Sequence, residues 1–282
     1  MNFATRFAPS PTGLLHRGHA FSALTAFGAA REAGGRFVLR IEDIDTARCS
    51  GEFEAAILED LAWLGLRWEN PVRRQSEHFD DYEAALSRLR GAGLLYRCFK
   101  TRKEILQGMA SAPHGPTEVY RGAPPAPAAE ARLLAEGRPF AWRLSLEAAA
   151  KALGGFESLS FQEEGVGPAG ESGGIALEPG RLGDVVLARK DVGVAYHLAV
   201  VVDDALQGIS HVIRGADLFE AAHIQRLLQA LLDLPTPTYR HHRLLLGPDG
   251  KRFAKRDKAQ TLRELRESGT TPAALRTELG FA

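Results

Sequence analysis

The fold is decided by residues 4–45, ATRFAPSPTGLLHRGHAFSALTAFGAAREAGGRFVLRIEDID. Residues 9–13, PSPTG, are typical of a rigid loop because of their prolines and glycine. Apolar residues at helical spacing follow over residues 18–31, and Gly34-Gly35 ends the predicted helix. The apolar run at residues 37–41 is typical of a strand buried in a parallel sheet. Strand, loop, helix and strand in this order indicate a βαβ unit, and hence a doubly wound α/β fold.

Three more amphipathic helices and four more strands are predicted beyond this unit. The capping-box pattern of Thr101 and Glu104 predicts a further short helix. We interpret the continuous apolar run YHLAVVV, residues 196–202, as a buried strand. The amphipathic helices are predicted at 53–64, 79–89 and 218–234, and the other strands at 140–146, 184–189 and 210–214.

A change in composition marks a second unit. Residues 111–130 carry five prolines and are predicted to form no regular element. We interpret residues 98–185 around them as an insert with a poor core of its own. The expected organisation is therefore a main α/β domain split between 1–97 and 186–238, the insert, and a C-terminal part at 239–282.

The overall composition excludes several classes of protein. The 282 residues carry 35 Lys+Arg and 35 Asp+Glu, and this balance argues against a protein that coats nucleic acid. The hydrophobic fraction of 45% is that of a globular domain rather than a disordered chain. Two cysteines cannot form a disulfide framework, which favours a reducing compartment. Since no apolar run is long enough for a membrane span and no signal peptide is visible, we expect a cytoplasmic protein with no membrane partner.

A phosphate site is predicted where the first helix begins. No acidic residue occurs in the first 31 residues, and His16, Gly18 and His19 stand at the start of the helix. Free N–H groups and the positive end of the helix dipole suit phosphate, and two imidazoles can neutralise charge that develops during displacement. The same pattern is compatible with a metal-ligand pair or with two solvated histidines. The acid-free surroundings favour phosphate.

A basic loop near the C-terminus is a second candidate site. It has the sequence GKRFAKRDK at residues 250–258, within a stretch of nine Lys/Arg and three acids over residues 240–266. Such a loop can hold a triphosphate and follow the leaving pyrophosphate. Taken alone, it is more often a solvated patch or a contact with an RNA backbone, whose binding weakens with salt.

Four blocks in this order resemble the glutamyl-tRNA synthetases, which are class I enzymes. The first is RFAPSPTG at residues 6–13 followed by HRGH at 16–19, which resembles their HIGH region. The last is RFAKR at residues 252–256, in the position of their KMSKS loop. Between them come LRIEDIDT at 39–46 and YHLAVVVDD at 196–204, the latter followed by IRGADL at 213–218. The resemblance implies a Rossmann-type parallel sheet with an inserted α+β subdomain and a short helical C-terminal stem.

The layout is closest to one branch of that family. Only 26 residues follow Arg256, so we expect no anticodon-binding domain. This resembles the glutamyl-queuosine tRNA(Asp) synthetases, the truncated paralogues. The resemblance implies activation of L-glutamate by ATP with Mg²⁺, and transfer to queuosine at the wobble position of the tRNA(Asp) anticodon stem-loop. No obligate protein partner is evident. The other hypotheses are a minimal glutamyl-tRNA synthetase that charges tRNA(Glu), an inactive RNA-binding paralogue, and a nucleotidyltransferase of the same superfamily.

The resemblance also implies roles for the residues that match its motifs. Arg6 and Arg214 would bind the carboxylates of the substrate, and Glu42 would bind its ammonium group. Ser10 and Tyr196 would add neutral hydrogen bonds. Implied catalytic residues are His16, His19 and Lys255. Implied ATP-binding residues are Pro9, His16, Gly18, His19, Arg252 and Lys255. Implied glutamate-binding residues are Arg6, Ala8, Ser10, Glu42, Tyr196 and Arg214.

Some positions depart from the family pattern. Arg17 stands where the HIGH motif has isoleucine, which predicts a more basic loop, and Ala254 replaces the serine of KMSKS. Because Lys255 is retained, we expect activity.

The zinc motif of the family is also incomplete in this chain. Of the zinc ligands that members often carry, Cys98 and Tyr120 are retained, and Lys100 stands in a ligand position. One thiolate and one phenol cannot complete a tetrahedral zinc site. Substitution by His114 is disfavoured. We therefore expect no structural zinc and an insert held by packing alone.

Overall fold

The predicted βαβ unit is present at the start of the chain. Strand β1 (Ala4–Phe7) is followed by helix α1 (Arg17–Glu32) and strand β2 (Arg36–Ile41), and the two strands pair in parallel. Both strands are buried almost throughout, because the helix covers one face of the sheet. The computed structural model describes residues 2–110, 119–189, 193–245 and 260–281.

The next three elements continue this domain. Helix α2 (Gly51–Trp63) begins at Ser50, whose hydroxyl accepts a hydrogen bond from the amide of Phe53. Strand β3 (Arg73–Arg74) extends the sheet beside β2 in parallel, and helix α3 (Phe79–Gly91) follows. Both helices confirm the predictions from apolar spacing.

The chain from Leu95 to Val194, which includes the predicted insert and extends beyond it at both ends, contains an antiparallel sheet and short helices. The capping box of Thr101 and Glu104 forms as predicted. The expectation of no regular element over residues 111–130 is wrong at its end, because a helix begins at Pro127, and proline fits the first turn of a helix. The elements are β4 (Leu95–Cys98), α4 (Arg102–Ala110), α5 (Pro127–Ala135), β5 (Ala141–Leu144), α6 (Leu146–Leu153), β6 (Ser160–Glu163), β7 (Gly173–Ala176), β8 (Val186–Arg189) and β9 (Gly193–Val194).

Two sheets divide these strands between them. Strands β4, β5, β8 and β9 form the antiparallel sheet in that order. Strand β6 instead pairs in parallel with a strand near the C-terminus, and β7 pairs with β6. The boundaries 98–185 stay a prediction, but part of this stretch shares a sheet with the catalytic half of the chain.

Hydrogen bonds to a single buried carboxylate stabilise the antiparallel sheet. The buried carboxylate of Asp184 accepts hydrogen bonds from the Tyr96 hydroxyl at 2.9 Å, from the Gly122 amide at 2.9 Å and from the Leu146 amide at 3.1 Å. The expectation that packing alone holds this region is therefore wrong. A carboxylate with several donors supplies part of the cohesion.

The apolar run at residues 196–202 forms a helix, α7 (Tyr196–Leu206), and not the predicted strand. Seven consecutive residues, 198–204, are buried. A segment buried on all sides carries no polar stripe, so its sequence pattern does not distinguish a helix from a strand. The helix packs against α3 and the helix that follows the next strand.

The second half of the parallel sheet follows α7. Strand β10 (His211–Gly215) lies beside β1, helix α8 (Phe219–Leu231) crosses over, and strand β11 (Thr238–His242) pairs in parallel with β10. The two sheets, β3-β2-β1 and β10-β11-β6-β7, lie edge to edge through β1 and β10, and the Ser210 amide in front of β10 donates to the Ala4 carbonyl of β1 at 3.0 Å. This is the arrangement of a doubly wound fold, in which the chain leaves the centre in both directions.

Two short helices close the described chain. Helix α9 (Leu262–Glu267) has a capping box between Thr261 and Glu264, and α10 (Pro272–Glu278) follows. The amide of Leu262 donates to the Leu15 carbonyl at 2.8 Å, so this helical stem is attached to the loop in front of α1. Among the described residues, no helix is long and apolar enough to cross a membrane.

Candidate active site

One cavity of about 610 Å³ brings together nine of the predicted site residues. It lies beyond the carboxyl ends of β1, β2 and β10, where open α/β sheets bind ligands. Pro9 is adjacent, and its carbonyl accepts a hydrogen bond from the Glu42 amide at 3.0 Å. Arg252 and Lys255 lie outside the described residues. The residues that line the cavity include Arg6, Ala8, Ser10, His16, Gly18, His19, Glu42, Tyr196 and Arg214.

The two histidines form the start of helix α1. The Nδ1 atom of His16 accepts from the Gly18 amide at 3.1 Å, and the amide of His16 donates to Nδ1 of His19 at 3.2 Å. Because Nδ1 is the acceptor in both rings, the hydrogen of each neutral imidazole is on Nε2. The first turn contains no acidic residue. This arrangement gives donors of the kind that bind phosphate oxygens.

Arg17 does not make this site more basic. Its Nε donates to the Glu278 carboxylate at 2.6 Å, and its NH1 donates to Gln260 at 3.3 Å. The side chain is therefore committed to the C-terminal stem. The interpretation of a more basic loop is wrong for this position.

A network of buried charges lies at the base of the cavity. Arg6 donates through Nε to Asp204 at 3.1 Å, and Arg40 donates to the same carboxylate at 2.8 Å. Arg40 also contacts Glu42 at 3.4 Å. Sequence reasoning missed Arg40 and Asp204. The signal available was an arginine inside an apolar strand and an aspartate pair after an apolar run.

Burial acts differently on the two carboxylates of this network. Burial raises the pKa of Glu42 above its ordinary value, although Arg40 and Arg6 oppose the shift. Burial would also raise the pKa of Asp204, but Arg6 and Arg40 together hold it below its ordinary value. Asp204 is therefore the fixed counter-charge of the two arginines. Glu42 is the carboxylate that a bound cation would stabilise.

Arg214 is held on three sides. Its Nε donates to Nε2 of His241 at 3.0 Å, Nη1 donates to Gln225 at 2.8 Å, and Nη2 donates to the Leu218 carbonyl at 3.0 Å. Among the described residues, these contacts use three of the five N–H groups of the guanidinium. Two are left for a carboxylate in the cavity.

A second cavity of about 450 Å³ adjoins the first. The two share Ser10, Glu42 and Tyr196 as lining residues. Its far side is formed by α7 and β8, and includes His197. Burial, assisted by Arg214, lowers the pKa of His197 to about 4, so this imidazole is neutral at physiological pH. Space for a second substrate thus exists beside the first.

The remnants of the zinc motif contact each other without forming a metal centre in the described part of the chain. Cys98 Sγ lies 3.7 Å from the Tyr120 hydroxyl, and the Arg143 guanidinium stacks on the Tyr120 ring at 4.5 Å. Burial raises the pKa of Tyr120 to about 12, which keeps the phenol neutral. No group of three His, Cys, Asp or Glu side chains able to hold a metal occurs among the described residues, and His114 lies outside them. The absence of structural zinc stays a prediction.

Comparison with known proteins places this geometry in a family. The family described as tRNA synthetases class I (E and Q), catalytic domain, matches residues 2–121 and 171–281. The chain belongs to this class I tRNA synthetase family. Its Rossmann-type fold, predicted from the sequence motifs, is confirmed by this match.

Individual relatives of this synthetase share much of its sequence. A glutamyl-Q tRNA(Asp) synthetase from Rhodobacter capsulatus is 47% identical, over 98% of this chain and 99% of its own length. A glutamate–tRNA ligase from Paracoccus denitrificans is 39% identical, over 96% of this chain and 59% of its own length. The structure of a glutamate-tRNA synthetase from Elizabethkingia anophelis matches with a TM-score of 0.81 and 27% identity, over 99% of this chain and 61% of that one. The resemblance to glutamyl-queuosine enzymes is thereby confirmed.

Proposed function

We propose that this synthetase activates L-glutamate with ATP and transfers it to queuosine at the wobble position of tRNA(Asp). The observation that carries the proposal is the convergence of Arg6, Glu42, Arg214 and the two helix-start histidines on one cavity. Relatives named glutamyl-Q tRNA(Asp) synthetase, 43–47% identical over nearly the full chain, support the same reading.

Glutamate would occupy the part of the cavity between the charged residues. Its two carboxylates match the guanidinium groups of Arg6 and Arg214, and its ammonium matches Glu42. Ser10, Tyr196 and the Ala8 backbone complete the lining on that side. Because Asp204 holds Arg6, Arg40 contacts Glu42, and Arg214 has three hydrogen-bond partners of its own, the substrate meets a preorganised set of charges.

ATP would place its phosphates at the start of α1, against His16, Gly18 and His19, with Mg²⁺ accompanying it as part of the substrate. An oxygen of a glutamate carboxylate attacks the α-phosphorus of ATP and forms a P–O bond to it. The bond between the α-phosphorus and the oxygen that bridges it to the β-phosphate breaks, which gives glutamyl-adenylate. Pyrophosphate leaves, and the Nε2–H groups of His16 and His19 stabilise its developing charge by hydrogen bonds. In this proposal Lys255 and Arg252 contribute to the same step.

The acceptor nucleoside would enter the second cavity. A cyclopentene hydroxyl of queuosine then attacks the carbonyl carbon of the mixed anhydride, AMP leaves, and the hydroxyl proton passes to the released phosphate or to solvent. The shared lining of Ser10, Glu42 and Tyr196 places the two cavities in contact, as this transfer requires. The cytoplasmic location, where the tRNA substrate resides, belongs to the same proposal.

Transfer of labelled glutamate to total bacterial tRNA, with ATP, tests the proposal. We expect label on tRNA(Asp) that disappears when the tRNA comes from cells unable to make queuosine. Label on tRNA(Glu) would instead indicate a minimal glutamyl-tRNA synthetase, the alternative favoured by the 39% identical ligases. Glutamate-dependent exchange of pyrophosphate into ATP separates both enzymes from an inactive paralogue. The variant Arg214→Ala should lose exchange, while Arg90→Ala, a change on the exposed surface of α3, should not.

A further inference from the structure

A buried chain of hydrogen bonds continues behind Arg214, away from the cavity. Nε of Arg214 donates to Nε2 of His241, and Nδ1 of His241 lies 2.6 Å from Oε2 of Glu163. The side chains of His241 and Glu163 are both completely buried, with 0% exposure. Neither residue lines the substrate cavity. A charged residue so far from solvent destabilises the folded state unless its partners are fixed, so this series of hydrogen bonds requires an explanation.

The chemistry of Arg214 determines where the proton of His241 lies. A guanidinium can only donate, so Nε2 of the imidazole must be the unprotonated nitrogen. The proton is then on Nδ1 and is donated to Glu163. Burial and the nearby Arg214 lower the pKa of His241, which keeps the ring neutral. The imidazole is therefore fixed in a single tautomer.

At the far end of this series of hydrogen bonds, backbone amides hold the carboxylate of Glu163. Oε1 of Glu163 accepts from the amide of Gly165 at 2.7 Å and from the amide of His241 at 2.8 Å. The carboxylate therefore accepts from three donors and cannot rotate without losing hydrogen bonds. Although burial opposes it, this set of hydrogen bonds holds the pKa of Glu163 below its ordinary value.

We propose that Glu163 and His241 are positioning residues that orient the guanidinium of Arg214 toward the substrate carboxylate. The inference rests on the proposed function, in which Arg214 binds glutamate. Glu163 selects the tautomer of His241, and His241 accepts the Nε hydrogen of Arg214. This contact fixes the plane of the guanidinium and directs its remaining N–H groups into the cavity. The logic is that of a carboxylate that orients a histidine, which in turn orients the group that meets the substrate.

The hydrogen-bonded series Glu163, His241 and Arg214, which we call the relay, joins two regions that are distant in the sequence. Glu163 ends strand β6, whereas Arg214 and His241 lie on β10 and β11 of the parallel sheet. Strand β6 pairs with β11 at Tyr239 and Glu163, which brings the carboxylate next to His241. Glu163 also lies between the two segments that the family description matches. The glutamate site therefore depends on a residue from outside those segments.

The substitution Glu163→Gln tests the relay with almost no change in shape. The amide oxygen would take over the two backbone donors, which places the NH₂ group against Nδ1 of His241. His241 would then accept at Nδ1 and carry its proton on Nε2, facing the Nε–H of Arg214. Two donors would oppose each other, and the contact would be lost. Loss of a buried hydrogen bond to a charged group predicts a rise of about 10- to 100-fold in KM for glutamate.

The measurement is glutamate-dependent pyrophosphate exchange by the full chain, with KM for glutamate, KM for ATP and kcat determined separately. We expect Glu163→Gln and His241→Leu to raise KM for glutamate and to leave KM for ATP unchanged. Arg226→Ala is the matched control, because Arg226 donates to the Ser160 carbonyl at the start of the same strand without touching the relay. A loss shared equally by both substrates, or by the control, would overturn the positioning role.

Nitrogen-15 NMR of the histidine rings provides a readout that does not depend on activity. In the unaltered protein His241 should carry its proton on Nδ1, and in Glu163→Gln on Nε2. A proton on Nε2 in the unaltered protein would overturn the relay, even if the variants fail to fold. If the unaltered protein shows no glutamate-dependent exchange, the proposed function fails together with this role. If it exchanges normally and Glu163→Gln keeps its KM, only the relay fails.

Discussion

Arg17 and Glu278 are joined by a 2.6 Å salt bridge between the first turn of α1 and the end of α10. The arginine occupies the one position of its four-residue motif that differs in charge from the family pattern. Its side chain is 19% exposed and its partner 49%, so solvent screens the pair. The contact connects the start of helix α1 to the C-terminal stem.

Restoring the family residue with Arg17→Ile should leave KM for ATP unchanged, because the side chain faces the stem. The free energy of unfolding should fall by less than about 1 kcal/mol, as is usual for an exposed ion pair. Denaturant unfolding and pyrophosphate exchange measure the two quantities. A tenfold rise in KM for ATP would show that Arg17 reaches the phosphates after all.

Glutamate binding should release protons through Glu42. Burial raises the pKa of this carboxyl, and the substrate ammonium would lower it again, so the protonated fraction gives up its proton on binding. Affinity for glutamate should therefore fall as the pH falls through the raised pKa. Calorimetry between pH 5 and 8, in buffers of different ionisation enthalpy, measures the release. Glu42→Gln should abolish the release, and proton uptake by the unaltered protein would contradict the assignment.

Asp60 should make the protein less stable at neutral pH than at mildly acidic pH. It is completely buried on α2, its oxygens accept no hydrogen bond from the described residues, and Arg266 is 3.8 Å away. Burial raises its pKa from 3.8 to about 6. The folded state therefore binds the proton more tightly than the unfolded state, and stability falls as the pH rises from about 4 to about 6.

The substitution Asp60→Asn checks this sign. At pH 7.5 it should raise the free energy of unfolding by roughly 1–3 kcal/mol, and the gain should vanish below about pH 3, where the acid is protonated in both states. Urea unfolding at both pH values measures the difference. A destabilised variant at pH 7.5 would mean that attraction to Arg266 outweighs the cost of burial.

Asp184 should be the main polar support of the antiparallel sheet. Asp184→Asn turns one acceptor oxygen into a donor that faces existing donors, so we expect a loss of roughly 1–3 kcal/mol. Glu147→Gln, an exposed change on the neighbouring helix α6, is the matched control.

Metal analysis of the same preparations should find no stoichiometric zinc. A melting temperature lowered by a chelator would contradict that expectation.

Local patterns in the sequence were sufficient for much of the fold. The capping box of Thr101 and Glu104, the glycine stops and the amphipathic spacing of α1, α2, α3 and α8 depend on residues within a few positions of each other. Helix α7 was misassigned because its apolar run is buried on every side, and only the tertiary structure decides between helix and strand there. Pro127 was misassigned for a local reason, since proline both breaks helices and begins them.

The sequence likewise predicts some residues of the candidate site and not others. Residues next to recognisable motifs, such as His16 and Glu42, converge as the sequence implied. Among the residues behind the site, Glu163 and His241 carry no local signal. Glu163 lies in a stretch rich in glycine and glutamate, 78 positions from His241, and their contact arises only when β6 joins the sheet. Long-range pairing of this kind leaves no periodicity in one sequence.

The addition of β6 to the parallel sheet limits how this synthetase can be recombined. Cutting at residues 98 and 185 and grafting the corresponding segment of a relative would exchange Glu163 while leaving His241 behind. If Glu163 has the proposed positioning role, such a chimera would keep its affinity for glutamate only when the incoming strand carried a carboxylate in the same register opposite Tyr239. The segment is therefore not an interchangeable module, and the acid on one side and the imidazole on the other must be inherited together.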